Sequence, residues 1–257
     1  MLLVIDIGNT NIVMGVYDGA HLLKDWRIRS ERNITEDEFN ILVSNLFAGS
    51  NIDINKIDKT IISCVVPPIA AILDSFCNKY LGHIPYWVDA SVAGMPILYS
   101  NPAEVGADRI VNAVAGFHKY KTSLIIVDFG TATTFDAIST RGEYLGGAIS
   151  PGIIISAEAL FEKTSKLPRV EIFKPPEKVI GKDTASSMKS GIIYGYAGLV
   201  DGIVRRMKTE IGNNPQIIAT GGLAKIMAEV CESIDLVDTS LTLEGLRIIY
   251  EKIRNTQ

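Results

Sequence analysis

The stretch Leu3-Val4-Ile5-Asp6-Ile7-Gly8-Asn9-Thr10 returns almost halfway along the chain as Ile126-Val127-Asp128-Phe129-Gly130-Thr131-Ala132-Thr133. In each copy a run of β-branched and apolar residues reads as a buried strand, and an Asp, an apolar residue and a Gly end it at a sharp turn. Hydroxyl and amide side chains follow. A carboxylate at a strand end beside such a turn suits a metal-bound phosphate, because backbone N–H groups face the anion and the carboxylate holds a cation or its waters. Two copies predict an internal duplication, and 257 residues with 47% hydrophobic content are enough chain for two lobes.

Both halves read alike outward from these turns. In the first, strands Leu2 to Asp6, Asn11 to Tyr17 and His21 to Ile28 follow one another, the last two joined at Asp18-Gly19. Thr35 and Glu38 have the capping-box spacing and start a helix running to about Phe47. Strand Thr60 to Val66, a helix opened by Pro67-Pro68 and a short strand Pro85 to Val88 finish the half. In the second half, strands Ser123 to Asp128, Thr133 to Ser139 and Tyr144 to Ile149 precede a helix from Gly152 to Thr164 and an irregular loop, Leu167 to Lys182. A long helix, Thr184 to Ile211, carries Gly191, Gly195, Gly198 and Gly202, spacing that lets another helix approach closely. Strand Gln216 to Thr220, a Gly221-Gly222 turn, strand Ile234 to Val237 and a last helix complete the order. The expectation is an α/β protein of two βββαβαβα lobes, residues 1–115 and 116–257, hinged around Ala103 to Lys121 with a cleft between lobes.

Composition narrows the function classes. A formal net charge of −4 and no dense Lys/Arg block argue against nucleic acid as a partner. Three widely spaced cysteines, Cys64, Cys77 and Cys231, allow neither a disulfide framework nor a CxxC metal site, which suits a reducing cytoplasm. No apolar run reaches the roughly 18 residues of a membrane span, and the N-terminus enters a strand directly, so no membrane partner or cleaved leader is expected. G-x-x-x-x-G-K-[ST], G-x-G-x-x-G and H-E-x-x-H are absent; Gly181-Lys182-Asp183-Thr184 has Pro176 where a P-loop needs its first glycine. His21, His83 and His118 share no spacing and read as surface or packing residues.

Together with Gly221-Gly222, the two Asp-x-Gly turns resemble the phosphate loops and adenosine loop of the acetate and sugar kinase, heat-shock ATPase and actin superfamily, built from duplicated ribonuclease H-like lobes. Asn101-Pro102-Ala103-Glu104-Val105-Gly106-Ala107-Asp108-Arg109, Gly147-Ala148-Ile149-Ser150-Pro151-Gly152 and Leu167-Pro168-Arg169-Val170 are similar to motifs of the type III pantothenate kinases. The resemblance covers nearly the whole chain. It implies ATP-dependent phosphorylation of pantothenate to 4'-phosphopantothenate, the first step of coenzyme A synthesis, by direct in-line transfer in a homodimer.

The resemblance also implies roles. Asp108 is the base facing the substrate hydroxyl. Tyr99, Gly106, Ala107, Asp108, Arg109 and Thr184 contact pantothenate, Thr184 from the partner subunit. Asp6, Ile7, Gly8, Asn9, Thr10, Asn11, Ile12 and Val13 line the ATP phosphates with Thr131, and Gly221 and Gly222 admit the adenosine. Mg²⁺ accompanies ATP, with Asp6 reaching it through water, and Asp128 takes a monovalent cation, K⁺ or ammonium. On residue chemistry alone, Arg109 offers a planar cation for a carboxylate. The Asp108-Arg109 pair also reads as an ordinary helix start, Thr184 as a helix N-cap and Tyr99 as a half-buried aromatic. Rival readings are a kinase of another small alcohol, a polyphosphate hydrolase and an actin-type nucleotide switch.

Overall fold

The structure, a computed structural model, describes residues 1–172, 174–212 and 214–256. Leu2–Ile7 forms β1, the central strand of a five-stranded sheet, with Leu3, Val4, Ile5 and Ile7 fully buried. β2 (Asn11–Asp18) returns antiparallel with Val13 opposite Asp6, and β3 (His21–Arg29) follows with His21 opposite Asp18. α1 (Glu36–Gly49) starts at the expected capping box: the Glu38 N–H donates to Thr35 Oγ1 at 3.2 Å and the Thr35 N–H donates to Glu38 Oε2 at 2.9 Å. β4 (Lys59–Cys64) lies parallel to β1 on its other side. It stops two residues short of the expected end, because Val66 already stands at the N-cap of α2 (Pro67–Phe76). A π turn, Cys77–Leu81, and β5 (Tyr86–Trp87) close a sheet of order β3-β2-β1-β4-β5.

The segment expected to join the lobes is mostly helix: α3 (Ala107–Tyr120) follows a 3-10 turn at Pro102–Glu104. Every residue from Arg109 to Gly116 is buried. The polar positions of α3 at Asp108, Asn112 and Lys119 nevertheless keep a helical spacing, so the helix was legible in the sequence and was passed over there.

The second sheet repeats the first. β6 (Leu124–Phe129) is central, β7 (Ala132–Ile138) and β8 (Tyr144–Pro151) follow antiparallel, and β9 (Gln216–Gly221) and β10 (Leu236–Val237) add parallel strands on the far side. The order, β10-β9-β6-β7-β8, is that of the first sheet. α4 (Ile153–Glu162), α5 (Thr184–Ile211) and α6 (Ala224–Ala228) belong to this half. The loop before α5 is pinned to it: Tyr194 Oη donates to Pro176 O at 2.6 Å and Ser190 Oγ to Val179 O at 2.5 Å. Phe173, inside that loop, lies outside the described residues.

The chain divides into two compact units, one of residues 1–96, 100–115 and from 241 onward, the other of 97–99 and 116–240. The last helix, α7 (Leu241–Thr256), therefore packs in the first unit, where the boundaries 116–257 put it in the second. Its buried Leu241, Leu243, Leu246, Ile248 and Ile249 are the reason: it lies against β1, β2 and β4, and Thr242 Oγ1 donates to Asn112 Oδ1 of α3 at 2.8 Å.

Candidate active site

In the first unit the turn after β1 is closed by the Gly8 N–H, which donates to Asn11 O at 3.0 Å. Ser30, just past β3, donates its N–H to Thr10 O at 3.0 Å and its Oγ–H to Gly8 O at 2.5 Å. Asn9 and Thr10 are exposed, and Asp6, Asn11 and Val13 are half-buried. Ile7 and Ile12 are core residues, 0% and 1% exposed, so these two of the eight residues from Asp6 to Val13 offer a ligand their backbone alone.

The start of α3 comes to the same corner. Gly106 sits beside Val65, at the end of β4 and next to β1, and Asp108 occupies the first helical turn. The Arg109 N–H donates to Asp108 Oδ1 at 2.8 Å, and that oxygen lies 2.6 Å from where a Cβ on Gly106 would stand. Burial pushes the Asp108 carboxyl above the usual carboxylate range; the Arg109 N–H and guanidinium pull it down without cancelling the rise. Arg109 itself is buried, at 7% exposure. A groove of about 750 Å³ opens here, lined by Cys64, Val65, Asp89, Ser91 and the segment from Asn101 to Ala107.

In the second unit the Gly130 N–H closes the matching turn on Ala132 O at 3.1 Å, and the Gly152 N–H donates to Thr131 O at 3.0 Å. Thr131 is exposed and Asp128 half-buried. Gly221, at the end of β9, takes φ +91°, and a Cβ there would run into Asp128 Oδ1 and stand 2.7 Å from the Phe129 N. Asp128 and Gly221 are thus brought together, with Gly222 exposed beside them.

Tyr99 also belongs to this unit. Its ring lies 6.4 Å from that of Tyr144, and the Leu98 N–H donates to Tyr144 O at 2.8 Å. Tyr144 Oη in turn donates to Oδ1 of the fully buried Asp136 at 2.7 Å, a carboxylate that sequence reasoning passed over. Thr184 is the exposed first residue of α5, and the N-cap is Asp183, whose Oδ1 accepts from the Ser186 N–H at 2.8 Å.

Among the described residues no group of three or more His, Cys, Asp or Glu is arranged for a metal ion. Asp6 and Asp128 fit hard cations as single carboxylate donors at the ends of the two central strands, and the bare Cα of Gly221 leaves the room around Asp128 that a Cβ would fill. No helix among the described residues is long and apolar enough to cross a membrane.

The family model for type III pantothenate kinases matches residues 2–206, which span both Asp-x-Gly turns and the Asp108 segment. The chain belongs to that family. A type III pantothenate kinase from Desulfatibacillum aliphaticivorans is 65% identical over 257 residues, covering all of both chains. Two solved structures share the architecture at a TM-score of 0.59: a conserved putative Baf family transcriptional activator from Campylobacter jejuni, 18% identical over 98% of this chain and 99% of its own, and a putative 2-dehydro-3-deoxygalactonokinase from Sinorhizobium meliloti, 9% identical over the same shares. The fold is the duplicated ribonuclease H-like fold of the actin-like ATPases and sugar kinases.

For this member of the type III pantothenate kinase family, the residues missed in the sequence are those that hold the turns from outside. Ser30 follows Arg29, which pairs with Asn11, and Gly152 follows Pro151, which pairs with Ala132. The third strand of each half was legible, but only the pairing register shows that the residue after it meets the turn.

Proposed function

We propose that this protein transfers the γ-phosphoryl group of ATP to the primary hydroxyl of pantothenate, giving 4'-phosphopantothenate and ADP, the first step of coenzyme A synthesis. Full-length similarity to a relative of that description supports the reading. The observation that carries it is Asp108: a carboxylate fixed by the Arg109 N–H at 2.8 Å, next in sequence to Ala107 of the groove lining and one strand from a phosphate-type turn.

Transfer is direct and in line: the substrate hydroxyl oxygen forms the new P–O bond, the bond to the ADP oxygen breaks, and the proton passes to Asp108. With Oδ1 held by the helix, Oδ2 is the oxygen that meets the hydroxyl. Burial raises the proton affinity of this carboxyl toward the working pH, which suits a base. In a loose phosphoryl-transfer transition state the proton leaves late, so orientation is the larger service. Arg109, Tyr99 and Thr184 hold the pantothenate. The backbone of Asp6 to Val13 and Thr131 takes the phosphates, and Gly221-Gly222 admits the adenosine. Asp6 would hold Mg²⁺ through water and Asp128 would hold K⁺ or ammonium; when bound, the magnesium would supply charge neutralisation at the phosphates.

The working form in this reading is a cytoplasmic homodimer. Gly191, Gly195 and Gly198 on α5 are exposed and, beyond the adjoining backbone of their own helix, no atom of the described residues lies within 4 Å of their Cβ positions, and Ile154, Ile155, Leu160 and Phe161 are exposed on the neighbouring α4. A second copy covers this face and brings Thr184 to its partner's substrate. The test is ADP release by the purified protein with Mg-ATP and K⁺, with and without pantothenate. Pantothenate should stimulate turnover, and Asp108→Asn should lose it while still binding pantothenate; no stimulation would turn the search to another acceptor.

A further inference from the structure

The residue after the third strand braces the phosphate-type turn in both units. Ser30 donates its N–H to Thr10 O and Gly152 donates its N–H to Thr131 O, each at 3.0 Å. The positions correspond, since the acceptors precede Asn11 and Ala132, the residues on which Gly8 and Gly130 close their turns. The duplication therefore reaches beyond the Asp-x-Gly signature to a hydrogen bond that holds each turn from outside.

The second brace carries more structure. Gly152 has φ −72° and ψ 160°, extended backbone open to any residue, so conformation does not demand glycine. Space does: a Cβ would stand 2.7 Å from Gly130 O and closer still to Thr131 O, both backbone atoms that cannot swing aside. Behind it, Tyr196 Oη on α5 donates to Pro151 O at 2.6 Å, and Ser156 Oγ, also 2.6 Å away, donates to Tyr196 Oη. One peptide group, Pro151–Gly152, thus accepts from Tyr196 on its oxygen and donates to the turn from its nitrogen, an arrangement in which each bond polarises the next. In a trans peptide the C=O and N–H point in opposite directions. With the Gly130 and Thr131 carbonyls facing Gly152, the N–H groups of Thr131 and Ala132 turn to the opposite side, the orientation in which successive N–H groups receive an anion.

We propose that Ser30 and Gly152, the latter backed by Tyr196, are positioning residues that hold the two turns in their anion-facing orientation. The inference rests on the reading that these turns take the ATP phosphates. The experiment compares wild type, Ser30→Ala, Gly152→Ala, Tyr196→Phe and the control Tyr194→Phe, which removes a similar hydroxyl bonded to Pro176 O on the same helix. It measures Mg-ATP dissociation by calorimetry, the KM for ATP and for pantothenate, and the melting temperature. Ser30→Ala and Tyr196→Phe should weaken ATP about tenfold, the first removing the Oγ donor to Gly8 O in the turn and the second the Oη donor to Pro151 O behind the brace. Gly152→Ala should cost about a hundredfold, as displaced loops do. The KM for pantothenate should stay within about twofold, and Tyr194→Phe should leave ATP binding unchanged. Unchanged ATP affinity in Ser30→Ala and Tyr196→Phe, or parallel losses for both substrates, overturns the proposal. A wild type that binds Mg-ATP but ignores pantothenate sinks the kinase assignment and leaves the calorimetric test of the brace standing; a wild type that binds no nucleotide overturns both.

Discussion

Asp108 Oδ1 lies 2.6 Å from the place a Cβ on Gly106 would take, so the carboxylate proposed as the base rests in space that only glycine leaves open. The obstacle is the end of a side chain that can rotate, and the other neighbour, Val65 Cγ1, is an ordinary 3.7 Å away. Gly106→Ala should therefore fold normally and displace the carboxylate. Its turnover with pantothenate should fall about tenfold to a hundredfold, with a melting temperature within about 2 °C of wild type. A variant that loses both together would mean that Gly106 serves the fold.

The pH profile should carry the mark of Asp108. Its carboxyl is raised by burial, so the acidic limb of kcat/KM should lie above the ordinary value of 3.8. Arg109 lowers it, so Arg109→Gln, where activity remains measurable, should move the limb to higher pH. For stability the sign is the reverse of the usual acid. The folded state binds this proton more tightly than the unfolded chain, so stability falls as pH rises from 3.8 through the raised value. At neutral pH Asp108→Asn should melt higher than wild type, by about 2–4 °C for each kcal/mol of relief.

Gly221 should tolerate no side chain. Its φ of +91° is strained for any L-residue, and the Phe129 N would stand 2.7 Å from the added Cβ. Gly221→Ala should cost about 3 kcal/mol or more in denaturant unfolding. Asp128→Asn should unfold near the wild-type midpoint and lose stimulation by K⁺, measured as ADP release with K⁺ replaced by Na⁺.

The glycine face of α5 offers a clean test of assembly. Beyond the adjoining backbone of its own helix, no atom of the described residues lies within 4 Å of the Gly195 Cβ position, so Gly195→Leu costs the isolated subunit little. Light scattering should show wild type as a dimer and the variant as a monomer, with ATP binding kept and pantothenate turnover down at least about tenfold. A dimeric, active variant would place the interface elsewhere.

Asp238 reports on a buried acid with the opposite sign. Burial alone would raise its carboxyl, but hydrogen bonds from Lys119, Tyr120 and Ser240 and the Lys119 charge hold it below the usual range. A depressed acid contributes stability above its unfolded value, lost as pH falls through the folded one. Lys119 is 40% exposed, so screening limits the cost of Lys119→Met to about 1 kcal/mol at pH 7. Unfolding curves at pH 7 and near pH 3 should show the difference shrink as Asp238 protonates.

Much of this protein is local, and what is local was legible. The β-branched runs, the turns at Asp18-Gly19 and Gly221, and the Thr35–Glu38 box are set by residues within a few positions of one another, and their strand order follows from the repeat. So is the chemistry of Asp6, Asp108 and Asp128 as carboxylates beside glycine turns. Helix α3 was passed over because its segment was read as the hinge between the halves, although Asp108, Asn112 and Lys119 keep a helical spacing.

By itself the sequence determined the duplicated α/β order and the two Asp-x-Gly turns, since periodicity and glycine punctuation act over a few residues; a base role for Asp108 came only from the resemblance to the family. Tertiary structure alone decided that α7 closes the first unit, that Ser30 and Gly152 brace the turns, and that Asp108 gains proton affinity. Each of these depends on burial or on hydrogen bonds between residues far apart in the chain, and a one-dimensional pattern carries no register between such partners.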